Sequence, residues 1–461
     1  MAINLSVPGA GGAVINIPFA TQANESYASS LLAAIYTAKA TGNPPIFTAY
    51  ASQGTPPTPP AGDINEFVVD NNGAVTVPAG YQYILDDSSG TSSIVGGSQS
   101  AITYVAGQGG LTFTAGSGSG TVVAGGGNNT LYAPGTGSGN FNVVLDGSGS
   151  NAGYLGSGNW NVTTGTGSGT FFLGTGADTV FAQGPDTVVG GTGPETVSAS
   201  GNGGEFFAGQ ASSTLLVDTG TGNIGVGGSG AETIFAAGSS GEYFTGNGYM
   251  EYLNSGNGNI LVQQGSATVL AFGGTGSATY FTQGSSPLVL VDQSSTSTVV
   301  SSSPTVAGAQ IFGGPGSVVN FYGPNNNNLF IAGAGNETLN AAGGSGNNVF
   351  FSGTGSDSLV GGSGSDFFIE SAGTGSETLT GGGGSNTFQF VSHPGSNATD
   401  LITDFKSTDS LSLAGYGSAP GSGIQSETVQ GGSLLVTLTD GTKITFNNVT
   451  QPLNSSQIHN T

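Results

Sequence analysis

The chain has 461 residues, of which 87 are glycine and only 6% are charged. Its formal net charge is −23, because 26 acidic residues accompany three lysines and no arginine. So few cations exclude binding to nucleic acid and disfavour anionic membranes, and a sequence without cysteine excludes disulfides and zinc–thiolate sites.

The first 62 residues differ from the rest of the chain. Segment 24–40 lacks glycine and places Leu31, Leu32 and Ile35 on one face, which predicts one helix. We expect this helix to pack on the first strands, and binding to a partner is the alternative. A Sec-type signal peptide begins with basic residues, but the first basic residue is Lys39. We therefore expect export without a cleaved N-terminal signal peptide.

A proline-rich linker follows at 54–63, and residues 63–93 are rich in strand-forming residues. Within 65–87, the dipeptide Asn72-Gly73 predicts a hairpin turn. We interpret 63–93 as the entry, or cap, of the next region.

Residues 94–389 repeat one phrase: Gly-x-Gly-x, an acid or Asn, Thr or Ser, and an apolar residue. Clear copies are GTGADTVFA at 174–182 and GTGSDSLVG at 353–361. Repetition at such a short period predicts a β-solenoid, in which each repeat buries its apolar side against the next.

The most regular part, 323–389, contains seven nine-residue units. Their eighth residues alternate strictly between Phe and Leu: Phe330, Leu339, Phe350, Leu359, Phe368, Leu379 and Phe388. This alternation predicts two units per turn, with a Phe column facing a Leu column across the core.

The sixth residues of the same units predict two polar columns. The Phe units carry Asn328, Asn348, Asp366 and Asn386, and the Leu units carry Glu337, Asp357 and Glu377. Carboxylates stacked one strand apart are unfavourable unless they are protonated or bind a cation. Ca²⁺ prefers carboxylate and carbonyl oxygens, so Asp357 with Glu337 and Glu377 is the better candidate site. For Asp366, an Asn ladder without metal is the open alternative.

Units such as GGSGSDFFI at 361–369 resemble the nonapeptide of repeats-in-toxin (RTX) proteins. The resemblance is strong over 323–389 and weaker over 94–312. It implies an all-β fold, a right-handed parallel β-roll, with Ca²⁺ between successive turns. The turn glycines Gly353, Gly355, Gly373 and Gly375 would then contribute carbonyl ligands. Because many units carry Asn, Glu or Ala278 where the family prefers Asp, we expect fewer sites than repeats, with Glu195 and Glu232 as the weaker candidates.

Segment 388–450 resembles the C-terminal domain of serralysin-type proteins exported by type I secretion. Asp400, Asp404 and Asp409 match the acids of the family's Asp-x-Ile-x-Asp-Phe run, and the resemblance adds them to the calcium candidates. It implies that 390–461 is a β-rich cap carrying an uncleaved export signal. Local chemistry independently predicts a hairpin at Asp440-Gly441.

The sequence gives little support for catalysis. It contains two histidines, His393 and His459, and no H-E-x-x-H motif. We therefore expect a protein that is not an enzyme.

These features favour a secreted structural protein. It would be a Ca²⁺-stabilised β-solenoid, located outside the cell or on its surface, that assembles into a homo-oligomer or polymer such as a surface layer, matrix or fibre. An adhesin, or a rod that binds cell-surface polysaccharide or ice, is the first alternative, and an enzyme or accessory protein of extracellular polysaccharide metabolism is the second. No uninterrupted apolar run predicts insertion into a membrane.

Overall fold

A computed structural model of the chain describes residues 3–54, 56–98, 101–135, 139–210, 213–293, 295–302, 308–324, 327–370 and 374–461. Over these ranges the protein is an all-β parallel solenoid of about 18 turns with two helices. This confirms the fold class predicted from the repeats. The chain divides into two compact units, residues 1–232 and 233–461, and each is described separately below.

The first unit begins with two strands, a short 3-10 turn at Ala10–Gly12 and the helices α1 (Gln22–Leu31) and α2 (Ala33–Thr41). Its strands are β1 (Ile3–Pro8), β2 (Val14–Phe19), β3 (Ile46–Gly54), β4 (Ile64–Thr76), β5 (Tyr83–Asp86), β6 (Ser92–Val95), β7 (Ile102–Ala106), β8 (Leu111–Thr114), β9 (Gly120–Ala124), β10 (Asn129–Tyr132), β11 (Phe141–Leu145), β12 (Asn151–Tyr154), β13 (Trp160–Thr163), β14 (Gly169–Phe172), β15 (Asp178–Ala182), β16 (Thr187–Val189), β17 (Glu195–Ala199), β18 (Glu205–Phe207), β19 (Ser213–Asp218) and β20 (Ile224–Val226).

Strand β21 begins just before the boundary between the units, and from this strand the chain continues as short strands. They are β21 (Ala231–Ala236), β22 (Glu242–Phe244), β23 (Tyr249–Asn254), β24 (Asn259–Gln263), β25 (Thr268–Gly273), β26 (Ala278–Thr282), β27 (Leu288–Asp292), β28 (Thr296–Ser301), β29 (Gln310–Gly313), β30 (Val318–Gly323), β31 (Leu329–Ile331), β32 (Thr338–Gly344), β33 (Val349–Phe351), β34 (Ser358–Val360), β35 (Phe367–Glu370), β36 (Thr378–Thr380), β37 (Thr387–Val391), β38 (Thr399–Ile402), β39 (Ser410–Ala414), β40 (Ile424–Gln430), β41 (Ser433–Leu438), β42 (Lys443–Phe446) and β43 (Ile458–Asn460).

Each turn of the solenoid contributes one strand to each of two parallel sheets. Strand β14, for example, pairs in parallel with β12 and β16, whereas β15 pairs with β13 and β17. Side chains alternate between the core and the outside, as the burial of β15 illustrates. The turns stack so closely that glycine is required at some positions. A Cβ on Gly355 would lie 1.1 Å from the carbonyl oxygen of Gly335.

The N-terminal segment covers the outer face of one sheet of the first unit. The antiparallel pair β1–β2 and both helices form one apolar cluster with the outward side chains of β4, β5, β7 and β9. These outward residues are fully buried: Val68, Leu85, Val105 and Val123. The predicted packing of the helix on the first strands is thus observed, although the segment forms two helices that meet at Leu32. A sheet buried on both faces has adjacent apolar residues rather than strict alternation.

The region between residues 46 and 95 already follows the solenoid pattern. Strand β3 pairs in parallel with β4, and β4 pairs in parallel with both β5 and β6. The hairpin predicted at Asn72-Gly73 does not form, because β4 continues through this dipeptide. The dipeptide instead lies between the part of β4 that pairs with β5 and the part that pairs with β6.

The predicted Phe and Leu columns are present in the second unit. The rings of Phe330, Phe350, Phe368 and Phe388 stack at centroid distances of 4.6, 4.8 and 5.0 Å, with their planes within 11°. Leu339, Leu359 and Leu379 lie in register on the alternate strands.

The C-terminal strands close the second unit with antiparallel pairs. Strand β42 pairs in parallel with β38 but antiparallel with β41, which also pairs antiparallel with β40. The hairpin predicted at Asp440-Gly441 joins β41 to β42, with Gly441 at a φ of 106°. Neither helix in the described residues has the length and apolar character of a membrane span.

Candidate cation-binding ladders

Two ladders of buried polar side chains run through consecutive turns of the second unit. The mixed ladder consists of Asn328, Asn348, Asp366, Asn386 and Asp409. The acidic ladder consists of Glu337, Asp357, Glu377 and Asp400. The column membership predicted from the sixth residues of the repeats agrees with this arrangement.

Each ladder is held by one recurrent hydrogen bond. A side-chain oxygen accepts from the backbone N–H of the ladder residue in the preceding turn. In the mixed ladder, Asp366 accepts from the Asn348 N–H at 2.6 Å, and Asn386 accepts from the Asp366 N–H at 2.9 Å. In the acidic ladder, Asp357 accepts from the Glu337 N–H at 2.9 Å, and Glu377 accepts from the Asp357 N–H at 2.8 Å. Each ladder side chain thus accepts from a backbone N–H that lies just before a paired strand, where the strand pairing has not yet begun.

Asp366 uses both of its carboxylate oxygens in such hydrogen bonds. Oδ1 also accepts from Nδ2 of Asn348 at 2.8 Å, and Oδ2 accepts from the Gly362 N–H at 2.8 Å. Burial raises the pKa of Asp366, and these hydrogen bonds oppose the rise. Amide N–H donors therefore satisfy both carboxylate oxygens of Asp366 without a cation.

The acidic ladder differs because it retains carboxylate oxygens that no donor satisfies. Among the described residues, no hydrogen-bond partner reaches either Oε atom of Glu337, Oε1 of Glu377 or Oδ2 of Asp400. Asp357 lies between the two glutamates, and both of its oxygens accept backbone N–H groups, from Glu337 and from Gly353 at 2.8 Å. A buried acceptor without a donor is costly, and a buried charged one more so.

The electrostatics of the acidic ladder favour neutralisation. Burial raises the pKa of Glu377 to about 8 and that of Asp400 to about 7. The pKa of Glu337 is also raised, first by burial and then by the neighbouring Asp357 carboxylate. Without a cation, these raised pKa values favour the protonated forms of Glu377 and Asp400 over buried carboxylates near neutral pH.

The donor set of this ladder fits a hard cation by its chemistry. Ca²⁺ takes carboxylate and backbone carbonyl oxygens, and the spare oxygens belong to Glu337, Glu377 and Asp400. Across the described parts of the chain, no three acidic or histidine side chains converge on one point. A cation at the ladder would therefore draw the rest of its ligands from backbone carbonyls or water.

The glycines predicted to line the site lie in the adjoining turns. Gly353 donates its N–H to Asp357, and Gly375 has a φ of 109°. Gly355 lies directly against the turn of Gly335. Gly373 lies outside the described residues.

The three acids of the C-terminal segment do not form one site. Asp400 extends the acidic ladder, because its Oδ1 accepts from the Glu377 N–H at 2.9 Å, and Asp409 extends the mixed ladder through the Asn386 N–H at 2.8 Å. Asp404 instead accepts from the N–H groups of Gly381 and Gly382, and it lies 4.0 Å from the Lys406 ammonium. The sequence did contain a signal for the ladder positions, since both acids follow their ladder neighbours by 23 residues.

The first unit uses the same interaction without a continuous acidic ladder. Asp178 accepts from the N–H groups of Trp160 at 3.0 Å and Gly174 at 3.1 Å. Glu195 likewise accepts from Gly191, and Glu232 accepts from Gly228 at 2.7 Å. In the second unit, Ala278 stands at the position where the repeat phrase has an acid or Asn. It is buried and offers no side-chain acceptor.

Comparisons with known proteins add no family to this description. A scan against models of protein families found no match, and neither did a search of curated proteins.

Proposed function

We propose that this protein is a secreted structural protein, a calcium-stabilised β-solenoid that assembles into an extracellular layer, matrix or fibre. The observation that carries the proposal is the acidic ladder. Its spare oxygens on Glu337, Glu377 and Asp400 form a buried column of carboxyl groups in a chain with only three basic residues. Such a column is stable only when protons or cations neutralise it.

A parallel β-solenoid is compatible with the RTX type of β-roll, which supports the calcium assignment and export through type I secretion machinery. The proposed folding logic follows from affinity. Extracellular calcium sites bind with dissociation constants on the order of 10⁻⁴–10⁻³ M, so they are empty in the cytoplasm and fill outside the cell. Without calcium, folding must either protonate these buried carboxyl groups or bury their charge, and this cost keeps the chain loosely folded before export.

The proposal assigns no catalytic role. In the described residues the ring Nδ1 of His393 lies 2.8 Å from the Val391 carbonyl oxygen, in a local turn contact. Nearly the whole chain forms repeated turns of the solenoid, which is typical of a structural protein.

A calcium titration of the chelator-treated protein tests the proposal. We expect circular dichroism to show β-structure forming as calcium is added, and light scattering to rise afterwards as the folded chains associate. Magnesium at equal ionic strength is the control, because it demands stricter octahedral geometry. A chain that folds fully and remains monomeric with and without calcium would contradict the proposal.

A further inference from the structure

An apolar stripe runs along one outer sheet face of the first unit. It occupies one strand position in eight successive turns, and parallel register connects each member to the next. Its members are Val95, Thr114, Tyr132, Tyr154, Phe172, Val189, Phe207 and Val226.

The stripe is open to solvent. Tyr132 is 47% exposed, Tyr154 48%, Phe172 40%, Phe207 37% and Val95 39%. Single exposed apolar side chains are ordinary, but a contiguous row of them marks an interaction surface. On the opposite sheet, the chain covers its outward valines and leucine with its own N-terminal segment. No described segment does the same for the stripe.

The ring geometry argues against a sugar platform. Tyr154 and Phe172 stack on each other at 5.2 Å with their planes within 10°, and Tyr132 meets Tyr154 at 6.3 Å with an angle of 70° between the planes. A sugar binds to the open face of a ring, whereas stacked rings occlude each other's faces and present their edges. Tyr154 and Phe172 therefore offer mainly their edges, and an apolar surface with the same one-strand spacing fits these edges better than a sugar ring does.

The net charge of the chain also restricts which surfaces of two copies can meet. Two copies of a chain with a net charge of −23 repel each other unless they meet where carboxylates are absent. The strand position beside the stripe is uncharged over six turns: Ser93, Thr112, Thr130, Ala152, Thr170 and Thr187. The first acid at that position is Glu205, in the following turn.

We propose that the stripe packs against the same stripe of a second copy of this chain. A two-fold axis then pairs the two identical stripes turn by turn. The side chains would interdigitate as they do between the dry faces of stacked sheets. Each half-exposed ring offers on the order of 80–100 Å², and with the flanking valines and threonines the stripe approaches the roughly 800 Å² per partner of a standard interface. The inference rests on the proposed function, since it names one surface through which the copies assemble. A two-fold contact closes at a dimer, which would be the building unit of the larger assembly.

Two phenylalanines of equal exposure provide a matched test. Phe172 lies in the stripe, whereas Phe181 is also 40% exposed but lies on the other sheet, between Thr163 and Ser198 of the neighbouring turns. We expect sedimentation velocity to show a concentration-dependent dimer of the wild-type protein. Phe172→Lys should raise its dissociation constant by at least about tenfold, equivalent to about 1.4 kcal/mol, and Phe181→Lys should leave it unchanged. An equal effect of the two substitutions overturns the inference.

Disulfide trapping provides the second measurement, since the natural sequence has no cysteine. Tyr154→Cys should yield covalent dimers on oxidation, and Phe181→Cys should not. If Phe172→Lys leaves calcium-dependent assembly intact, the stripe is not the contact between copies, and the proposed function stands. A wild-type chain that is monomeric in calcium and in chelator overturns both. A monomer whose stripe binds insoluble cellulose, with Phe172→Lys abolishing binding, overturns the inference in favour of an adhesin.

Discussion

Asp357 and Asp366 occupy equivalent positions in successive nine-residue units, yet their surroundings differ. Both accept a turn glycine N–H and the N–H of the preceding ladder residue. Asp357 lies between two glutamates, whereas Asp366 lies between two asparagines. A substitution to Asn costs both sites the same hydrogen bond to glycine, so any difference between the variants reports the charge of the acidic ladder.

We predict that Asp357→Asn reduces the calcium-induced increase in the free energy of unfolding, whereas Asp366→Asn leaves that increase nearly unchanged. Urea unfolding of each variant in calcium and in chelator measures it. Equal losses in the two variants would show that the two ladders do not differ in cation binding.

The acidic ladder also predicts a pH dependence. The ordinary pKa of glutamate is 4.5, and burial raises that of Glu377 to about 8 in the folded protein. Between these values the folded chain binds a proton that the unfolded chain has lost, so stability is greatest below the unfolded pKa and falls as pH rises toward the folded one. In chelator, the free energy of unfolding should therefore fall between about pH 5 and pH 8. Glu377→Gln should reduce the slope, and a rising stability over this range would contradict the assignment.

At the scale of elements, the Phe column dominates the packing of the regular repeats. Phe350 is fully buried and stacks on Phe330 and Phe368, whereas its neighbour Phe351 points outward and is partly exposed. We predict that Phe350→Ala costs about 3–5 kcal/mol, because it opens a cavity in the stack. Phe351→Ala should cost about 1 kcal/mol or less. Urea unfolding measures both, and similar costs would contradict the inward position of the column.

The N-terminal segment is tied to the solenoid by Asp146. This carboxylate accepts hydrogen bonds from the Ala20 N–H at 2.8 Å and from Nδ2 of Asn24 at 2.7 Å, beside the start of α1. Asp146→Ala should loosen the segment and speed tryptic cleavage after the exposed Lys39 in α2. Cleavage after Lys443, in the C-terminal strand β42, should keep its rate and serves as the internal control.

Sequence periodicity predicted the elements whose environment repeats, and missed those that depend on one tertiary contact. The Phe/Leu alternation was enough to place Phe350 and Leu359 on different strands. The Asn72-Gly73 hairpin was wrong because a turn dipeptide lies within a strand that serves two sheets. The outward Val68 and Val123 carry no local sign that helices cover them. Likewise, Asp400 follows Glu377 by 23 residues, and a count in nine-residue units does not predict its place in the acidic ladder.

At the scale of the whole molecule, the protein has two features that bear on assembly: a column of acids that requires neutralisation and an uncovered apolar stripe. The first would couple folding to calcium, and the second would couple folded copies to each other. Assembly should therefore follow folding, since the stripe exists only when successive turns are in register.

Electron microscopy of the purified protein in calcium and in EGTA shows whether ordered assembly depends on calcium. We predict ordered layers or fibres in calcium and their loss in EGTA, with recovery when calcium is restored. Folded, dispersed single particles under both conditions would contradict it.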